Sequence, residues 1–239
     1  MSNIPLLHLF MPHPSPVGLA EKFRSGIAGG GAILLLALML HYLPLGDYPL
    51  VMLGSMAASA VLLFAVPHSP LAQPWNLVGG HLISALAGWT CILFIHDPFI
   101  AAGVAVGTAI FLMHYFNCLH PPGAATALTL VLSSTQFQHS GWHWTLLVVT
   151  INTIISLLLA LLINNMLPGR RYPLQQAVQT PPKPGPFITL EQRDLEAALA
   201  QMKDVIDVSE EDLAKIYELA LLHAQERIET ENTASGSVR

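Results

Sequence analysis

The feature that most constrains this chain is a long stretch without positive charge. From Ser25 to Gly169 the sequence contains no lysine or arginine, and its acidic residues in that stretch are Asp47 and Asp97 alone. A soluble domain of this length would carry about a quarter charged residues. A surface that faces lipid excludes them, because a charge at the bilayer centre is costly. The stretch therefore predicts an all-α polytopic membrane protein whose function lies within the bilayer.

The positive charges outside this stretch predict its orientation. Lys22 and Arg24 precede it, and Arg170 and Arg171 follow it. Because positive residues mark cytoplasmic flanks, both termini are expected in the cytoplasm, which requires an even number of crossings. No basic patch favours nucleic acid as a partner, and no cleavable signal stands out. The expected location is the cytoplasmic (inner) membrane of a bacterial-type cell, with the lipid bilayer as the first partner.

Six apolar elements can be marked along the stretch. They are approximately Ser25–Tyr42, Pro49–Val66, Trp75–Ile95, Phe99–Asn117, Pro122–Ser134 and Trp142–Leu167. A full crossing needs about 20 helical residues. The fifth element is too short to cross alone, and the second is interrupted by Gly54 and Ser55. We expect both to be half-helices or broken helices, within either six crossings or four crossings plus two re-entrant elements.

A weak internal repeat relates the two halves of the stretch. The segment 57–60, Ala-Ala-Ser-Ala, matches the segment 124–127, Ala-Ala-Thr-Ala, and the same offset aligns Trp75 with Trp142. Chance similarity between small-residue helices is the alternative. A real repeat of three crossings would be inverted, and short interrupted segments at matching places indicate the binding site of a transporter.

The densest set of polar and helix-breaking residues runs from His114 to Ala127. The sequence His-Pro-Pro at 120–122 should end one helix and begin another, because proline fits the first helical turn and disfavours helical geometry in the residue before it. The new helix would present free backbone N–H groups, which attract anions without a lysine. With no cation nearby, these amides plus hydroxyl and imidazole donors are the predicted means of receiving an anion.

These arguments select candidate residues for substrate binding or for the pathway. The candidates are Ser55, Ser59, His81, His114, Asn117, His120, Pro121, Pro122, Gly123, Ala124 and Thr126. Intramembrane histidines are functional candidates by default. Each could also be a satisfied interhelical histidine, and the serines and the threonine could be small packing residues.

Enzymatic and metal chemistry find little support in the sequence. Neither His-Glu-x-x-His nor Gly-x-Ser-x-Gly occurs, and no acidic residue lies near mid-membrane to form an acid/base pair. No enzyme activity, cofactor or metal is therefore expected. Cys91 and Cys118 both lie in apolar segments, where small buried hydrophobic residues are the expected interpretation.

The residues around the proline pair resemble a known family. The run from His120 to Leu128, His-Pro-Pro-Gly-Ala-Ala-Thr-Ala-Leu, resembles the signature of the HPP family of integral membrane proteins, as do the segments 54–64, 69–74 and 79–81. The similarity covers about residues 20–168. Family members in photosynthetic organisms and plastid envelopes are described as nitrite transporters, so the resemblance implies that function. Some relatives carry C-terminal nucleotide-binding CBS domains, which this chain replaces with a helical hairpin.

The predicted function is a passive or proton-coupled transporter for a small monovalent anion, with nitrite implied by the resemblance. The anion would bind near the midplane, at the helix N-termini of the two broken elements. The alternatives are a channel or carrier for another small solute and a non-transporting membrane scaffold. Six short elements make a small membrane body, so a homo-oligomer, dimer or trimer, with a pathway in each subunit is expected.

The chain divides into five predicted segments. They are an N-terminal cytoplasmic segment 1–24, a transmembrane domain 25–169, a proline-rich linker 170–188, a helical hairpin 189–229 and a disordered tail 230–239. The second hairpin helix has an apolar face at Leu213, Ile216, Ala220, Ala224 and Ile228. The hairpin alone can bury little surface, so it should dock on the membrane domain or on another subunit.

Overall fold

A computed structural model of the chain describes residues 17–43, 51–174 and 215–227. The helices are α1 (Leu19–Tyr42), α2 (Ser55–Ala65), α3 (Pro74–Phe94), α4 (Pro98–Tyr115), α5 (Pro121–Leu132), α6 (Ser134–Ser140), α7 (Trp142–Met166) and α8 (215–227). A single 3-10 turn, Pro70–Ala72, lies between α2 and α3. The predicted all-α class is confirmed.

Helix length separates the membrane helices into two groups. α1, α3, α4 and α7 are long and apolar enough to cross a membrane. α2 has 11 residues and α5 has 12, so each is shorter than 20 Å at about 1.5 Å per residue, against a hydrocarbon core of about 30 Å. The two elements predicted to be short are therefore the two short helices. α2 begins at the interruption seen in the sequence, directly after Gly54.

α1 begins earlier than the sequence indicated. The apolar element was expected from about Ser25, but the helix starts at Leu19 and includes Glu21, Lys22 and Arg24. Charged side chains are tolerated there because the first turns of a membrane helix reach the polar interface. Glu21 also lies in the first turn, where a carboxylate interacts favourably with the helix dipole.

The short helix α2 runs parallel to α7. Near the start of α2, the Leu53 N–H donates to Oδ1 of Asn152 at 3.2 Å. Near its end, the Leu63 carbonyl accepts from Nδ2 of Asn164 at 3.0 Å. Because the residue numbers of the bonded pairs increase in the same direction along both helices, α2 and α7 are parallel.

The short helix α5 runs parallel to α3, and glycines bring the two backbones together. A Cβ atom on Gly123 would lie 2.7 Å from the Gly80 carbonyl oxygen, and one on Gly88 would lie 2.8 Å from the Ala127 carbonyl oxygen. Small residues permit this close approach between membrane helices. The α3–α5 contact therefore has no room for larger side chains at these positions.

The two short helices cross each other in opposite directions. Ser55 lies opposite Thr126, whereas Ser59 lies opposite His120. The remaining packing follows the same scheme in both halves. The first long helix of each half packs on its own short helix, α1 on α2 and α4 on α5. The last long helix of each half packs on the short helix of the other half, α3 on α5 and α7 on α2. The halves α1–α3 and α4–α7 thus share one pairing scheme with reversed direction. This is the inverted repeat that the sequence predicted.

Both ends of the bundle lie at one face. Arg170, which follows α7, donates through Nε to Glu21 at 2.9 Å and through Nη2 to Ser25 at 2.9 Å. The Tyr172 hydroxyl donates to the Ala72 carbonyl at 2.8 Å, just before α3 begins. The start of α1, the start of α3 and the end of α7 are therefore neighbours. The same-face arrangement fits an even number of crossings, and the assignment of this face to the cytoplasm stays a prediction.

Two apolar cores fill the bundle. One, with Leu36, Leu63 and Val149 fully buried, lies among α1, α2 and α7. The other, with Ala105 and Met113 fully buried, lies among α3, α4 and α5. Cys118 belongs to the second core, and Cys91 does as well; both are free thiols, as expected of small buried hydrophobic residues.

The C-terminal part is described only in places. In α8, Ile216, Ala220 and Ala224 of the predicted apolar face are buried, whereas Leu213 and Ile228 lie outside the described residues. The first residues of the predicted linker, 170–174, bond to the membrane domain. The rest of the linker, the first hairpin helix and the tail 230–239 lie outside the described residues.

Candidate substrate site where the short helices cross

Five polar side chains meet at the crossing of α2 and α5, and we call them the polar cluster. Its members are Ser55 and Ser59 on α2, His81 on α3, His120 immediately before α5, and Thr126 on α5. All are buried, four of them completely. They come from both halves of the repeat, so the cluster exists only in the folded bundle.

Ser59 lies between the two imidazole rings of the cluster. Its Oγ is 2.9 Å from Nε2 of His81 and 3.0 Å from Nε2 of His120. The ring centroids are 5.0 Å apart, in an edge-to-face arrangement. One hydroxyl therefore connects two histidines from different helices.

The outer nitrogen of each ring bonds to a different group. Nδ1 of His81 is 2.7 Å from Oγ1 of Thr126, and that oxygen is 2.7 Å from Oγ of Ser55. Nδ1 of His120 is 2.8 Å from the Leu71 carbonyl oxygen, in the 3-10 turn before α3. The cluster is a continuous line of five hydrogen bonds that begins at Ser55 and ends on the backbone.

The end of α4 explains why His120 reaches this line. α4 is closed by Asn117 in the left-handed conformation, with φ of 52°, where asparagine is tolerated better than most residues. The Cys118 N–H donates back to the Met113 carbonyl at 2.9 Å, and the Asn117 N–H donates to the His114 carbonyl at 3.2 Å, which is a Schellman closure. The chain then reverses, and the proline pair starts α5.

Glycine on α3 sets how closely His120 approaches. A Cβ on Gly80 would lie 2.5 Å from Cβ of His120 and 3.1 Å from the Cys118 carbonyl oxygen. His120 therefore packs directly on the α3 backbone, next to His81. The Gly79-Gly80-His81 sequence thus supplies both the space for one histidine and the second histidine itself.

The structure brings five of the predicted site residues together and leaves the others around them. Pro122 and Gly123 are buried in the first turn of α5 beside the cluster, Ala124 is half-buried, and Pro121 is exposed. His114 and Asn117 are exposed at the end of α4. Their assignment to a substrate pathway stays a prediction, and in this structure Asn117 serves to end the helix.

Two groups at the site carry no sequence signal strong enough to have selected them. The Leu71 carbonyl is a backbone acceptor, so the type of side chain at this position does not indicate its role. Ser84 lies one turn beyond His81 on α3, where its Oγ would be 3.0 Å from a Cβ on Gly123. Its small size and helical spacing from His81 were the available signals.

The polar groups of the cluster bond to one another and to the backbone. Across the described ranges, no buried side-chain nitrogen or oxygen lacks a hydrogen-bond partner. The helices α2 to α5 contain no Asp, Glu, Lys or Arg, so the two imidazoles are the ionisable groups of the cluster. An additional ligand would have to replace one of the internal bonds.

A cavity lies on the far side of the start of α2. Its volume is about 120 Å³, which is enough for several water molecules. It is lined by Val51, Gln136, Phe137, His139, Ser140, Trp144 and Val148. Trp144 and Val148 lie near the start of α7, so the cavity is at the end of the bundle opposite to Arg170, and its lining does not include the residues of the polar cluster.

The fold and the buried cluster define an integral membrane protein of the inverted-repeat helical type. The chain matches the family described as HPP, transmembrane region, over residues 14–173. It therefore belongs to the HPP transmembrane family, as the resemblance of the His-Pro-Pro segment implied.

Two relatives from Dictyostelium discoideum support this membership. Each is described as a transmembrane protein. One is 42% identical over 153 residues, which is 62% of this chain and 53% of the relative. The other is 40% identical over 165 residues, which is 67% of this chain and 53% of the relative. The chain thus spans about half the length of these curated relatives. The comparison with solved structures found no match.

Proposed function

We propose that this HPP domain transports a small monovalent anion across a membrane, without converting it chemically, and that nitrite is its substrate. The observation that carries the proposal is the polar cluster itself. Two helices too short to cross meet there, one from each inverted half, and buried hydroxyls and imidazoles line their junction. In inverted-repeat transporters, such a junction of interrupted helices is where substrate binds.

The chemistry of the cluster suits an anion. The anion would face the positive ends of the α2 and α5 helix dipoles. The predicted free amides are few, because Pro121 and Pro122 have no N–H and the Gly123 N–H bonds to the His120 carbonyl at 2.8 Å. Ser59, Thr126 and the histidines supply further donors. No lysine or arginine is present between Ser25 and Gly169, so binding would be weak enough to allow release. A transporter requires this, because a tightly held ion does not leave.

Binding of the anion would require the polar cluster to open. Ser59 bonds to both rings, and the anion would take the place of that hydroxyl at one of them. The cavity beside Val51 lies at one end of the bundle, and a route from it to the cluster would have to open. On the other side, the bonds of Arg170 and Tyr172 hold α1, α7 and the α3 start together. Transport would alternate between opening these two ends.

The membrane and the assembly are also proposals. We place the domain in the cytoplasmic membrane with both ends facing the cytoplasm, because Lys22, Arg24, Arg170 and Arg171 flank it on one face. We propose a homo-oligomer. Gly103 and Gly107 on α4 form a Gly-x-x-x-Gly pair that faces open space, which is a surface typical of packing between membrane helices.

The test is nitrite uptake into proteoliposomes that contain the full chain, compared with protein-free vesicles. Nitrate, formate and bicarbonate are added as competitors. The proposal is supported by nitrite uptake that depends on the protein and is reduced by these competing anions. Uptake of a neutral solute with no nitrite flux would replace it with another transport function. No flux of any of these solutes would favour a scaffold.

A further inference from the structure

Hydrogen-bond chemistry fixes the position of every proton in the polar cluster. Nδ1 of His120 faces the Leu71 carbonyl at 2.8 Å. A carbonyl can only accept, so this nitrogen carries the hydrogen. In the neutral ring, Nε2 of His120 then has no hydrogen, and it accepts from the Ser59 hydroxyl at 3.0 Å.

The hydrogen on His81 follows from this assignment. Ser59 has one hydrogen, which is given to His120, so Nε2 of His81 must donate to the Ser59 oxygen at 2.9 Å. Nδ1 of His81 then accepts from Thr126, and Thr126 accepts from Ser55. The other tautomer of His81 would leave two ring nitrogens competing for one hydroxyl hydrogen. The line therefore has a single direction, from Ser55 to the Leu71 carbonyl.

We infer that His120 is a proton-binding site, with the Ser59 hydroxyl as the rotating group that makes room for the proton. Ser59 Oγ also lies 3.3 Å from the Ser55 carbonyl oxygen, one turn back on α2. When Nε2 of His120 takes a proton, the Ser59 hydroxyl turns to that carbonyl, and its oxygen accepts from both rings. One proton is added, one hydroxyl rotates, and every hydrogen keeps an acceptor.

The same proton would fit less well on His81. A hydrogen on its Nδ1 would point at Thr126, whose own hydrogen already points back at this nitrogen. Thr126 would have to turn away, and Ser55, which donates to Thr126, would have to turn as well. Protonation of His81 thus needs two hydroxyl rotations where His120 needs one.

The groups around His120 allow the cluster to accommodate one positive charge, on the protonated His120 ring. From α3 the facing titratable group is His81, whose ring centroid is 5.0 Å away. From α2 the facing side chain is Ser59. Near Gly80, on which His120 packs, lie the Cys118 carbonyl oxygen and the Met113 sulfur, neither of which carries a charge. The turn before α3 contributes the Leu71 carbonyl and contains His68. Two imidazolium rings so close would repel each other, so the pair holds one proton.

This inference deepens the proposed anion transport and rests on it for its consequence. A protonated His120 supplies the single positive charge that the lysine-free domain lacks. An anion bound beside it forms a neutral pair, which crosses the bilayer without moving net charge. Nitrite and one proton would therefore be carried together, in the same direction.

The proton site is tested without any substrate by nitrogen-15 magnetic resonance of histidine in the full chain in lipid bilayers, titrated from alkaline to acidic pH. Spectra of His120→Asn and His81→Asn assign the two rings, and His96→Asn, which changes an exposed histidine, is the matched control. We expect neutral His120 with hydrogen on Nδ1 and neutral His81 with hydrogen on Nε2. His120 should then gain a second hydrogen before His81. The opposite order, the opposite tautomers, or two uncharged rings throughout would overturn the assignment.

The coupling is tested separately by nitrite flux in proteoliposomes, corrected for the leak of nitrous acid through protein-free vesicles. Uptake should follow an imposed pH gradient and stay unchanged when valinomycin and potassium set the membrane potential. His120→Asn, which can still donate to the Leu71 carbonyl, should take up little nitrite with or without the pH gradient, and His96→Asn should keep the response to the gradient. Uptake that follows the potential instead would overturn the coupling. Absence of nitrite flux in the unmodified protein would reject nitrite transport, while the resonance result would still decide the proton site.

Discussion

Ser59 and Thr126 occupy matching places in the two sequence repeats and bond to opposite nitrogens of one imidazole. The Ser59 hydroxyl is 2.9 Å from Nε2 of His81, and the Thr126 hydroxyl is 2.7 Å from Nδ1 of the same ring. The repeat thus supplies a pair of equivalent hydroxyls, and a histidine from α3 joins them. This ring is one of the places where the two halves of the domain are in direct polar contact.

The α3–α5 contact predicts that Gly88→Ala destabilises the domain. The new Cβ would lie 2.8 Å from the Ala127 carbonyl oxygen. This oxygen belongs to the α5 backbone, which could move aside only at a cost in free energy. Overpacking of this kind costs about 1–3 kcal/mol. Thermal unfolding in detergent should show the loss. Gly31→Ala, where nothing lies within 4 Å, is the control and should not lower stability. Equal effects of the two substitutions would contradict the tight contact.

The start of α2 should depend on Asn152. This buried side chain accepts from the Leu53 N–H at 3.2 Å and donates to the Val51 carbonyl at 3.0 Å. Asn152→Leu keeps the approximate volume but leaves both groups unpaired, at a cost of about 1–3 kcal/mol. The unfolding temperature should fall accordingly. The control Thr90→Val removes an exposed hydroxyl bonded within its own helix and should change the unfolding temperature little. A larger decrease in Thr90→Val than in Asn152→Leu would contradict the role of Asn152 at the start of α2.

Tyr172 should make stability depend on alkaline pH. Burial raises the pKa of the Tyr172 phenol well above its usual range, and the hydroxyl donates to the Ala72 carbonyl. Because the folded state holds the proton more tightly than the unfolded state, this contribution is fully present below a pH of about 10 and is lost as the pH rises further. Unfolding temperatures measured on either side of that pH should show the decline.

The matched variant for this titration is Tyr172→Phe. It should be less stable than the unmodified protein at neutral pH by about 0.5–1.5 kcal/mol, the usual contribution of one hydrogen bond. The difference should shrink as the solution becomes more alkaline. A constant difference across the titration would mean that the Tyr172 hydroxyl is ionised equally in the two states.

The outward glycines of α4 should hold subunits together. Gly103 and Gly107 face open space within one subunit, and close packing between membrane helices uses such pairs. Replacing both with leucine should shift the protein from oligomer to monomer in size-exclusion chromatography with light scattering. The single substitution Gly31→Leu on α1 is the control. An unchanged mass would place the subunit interface elsewhere.

Local chemistry explains what the sequence could predict. The length of an apolar run determines whether a helix can cross, so the sequence alone predicts the two short helices. The proline pair marks the start of α5, and the Gly54 interruption coincides with the start of α2, although the predicted second element began at Pro49. Matching small-residue segments indicated the inverted repeat. Each of these signals depends on residues that are near one another in the chain.

The composition of the polar cluster depends instead on tertiary packing. His81 and His114 are both histidines in apolar helices, and nothing local separates them. His81 lies buried in α3 beside α5, whereas His114 lies exposed in the last turn of α4, just before the left-handed Asn117. The Leu71 carbonyl, which fixes the hydrogen on His120, belongs to the backbone and has no sequence signature.

The central claim is that the polar cluster forms the anion pathway, and nitrite uptake by single-residue variants in proteoliposomes tests it most directly. The comparison is between His120→Asn and His96→Asn, at equal amounts of folded, inserted protein. The cluster account predicts that uptake falls close to the protein-free rate in His120→Asn and stays at the unmodified rate in His96→Asn. Full uptake by His120→Asn would contradict it.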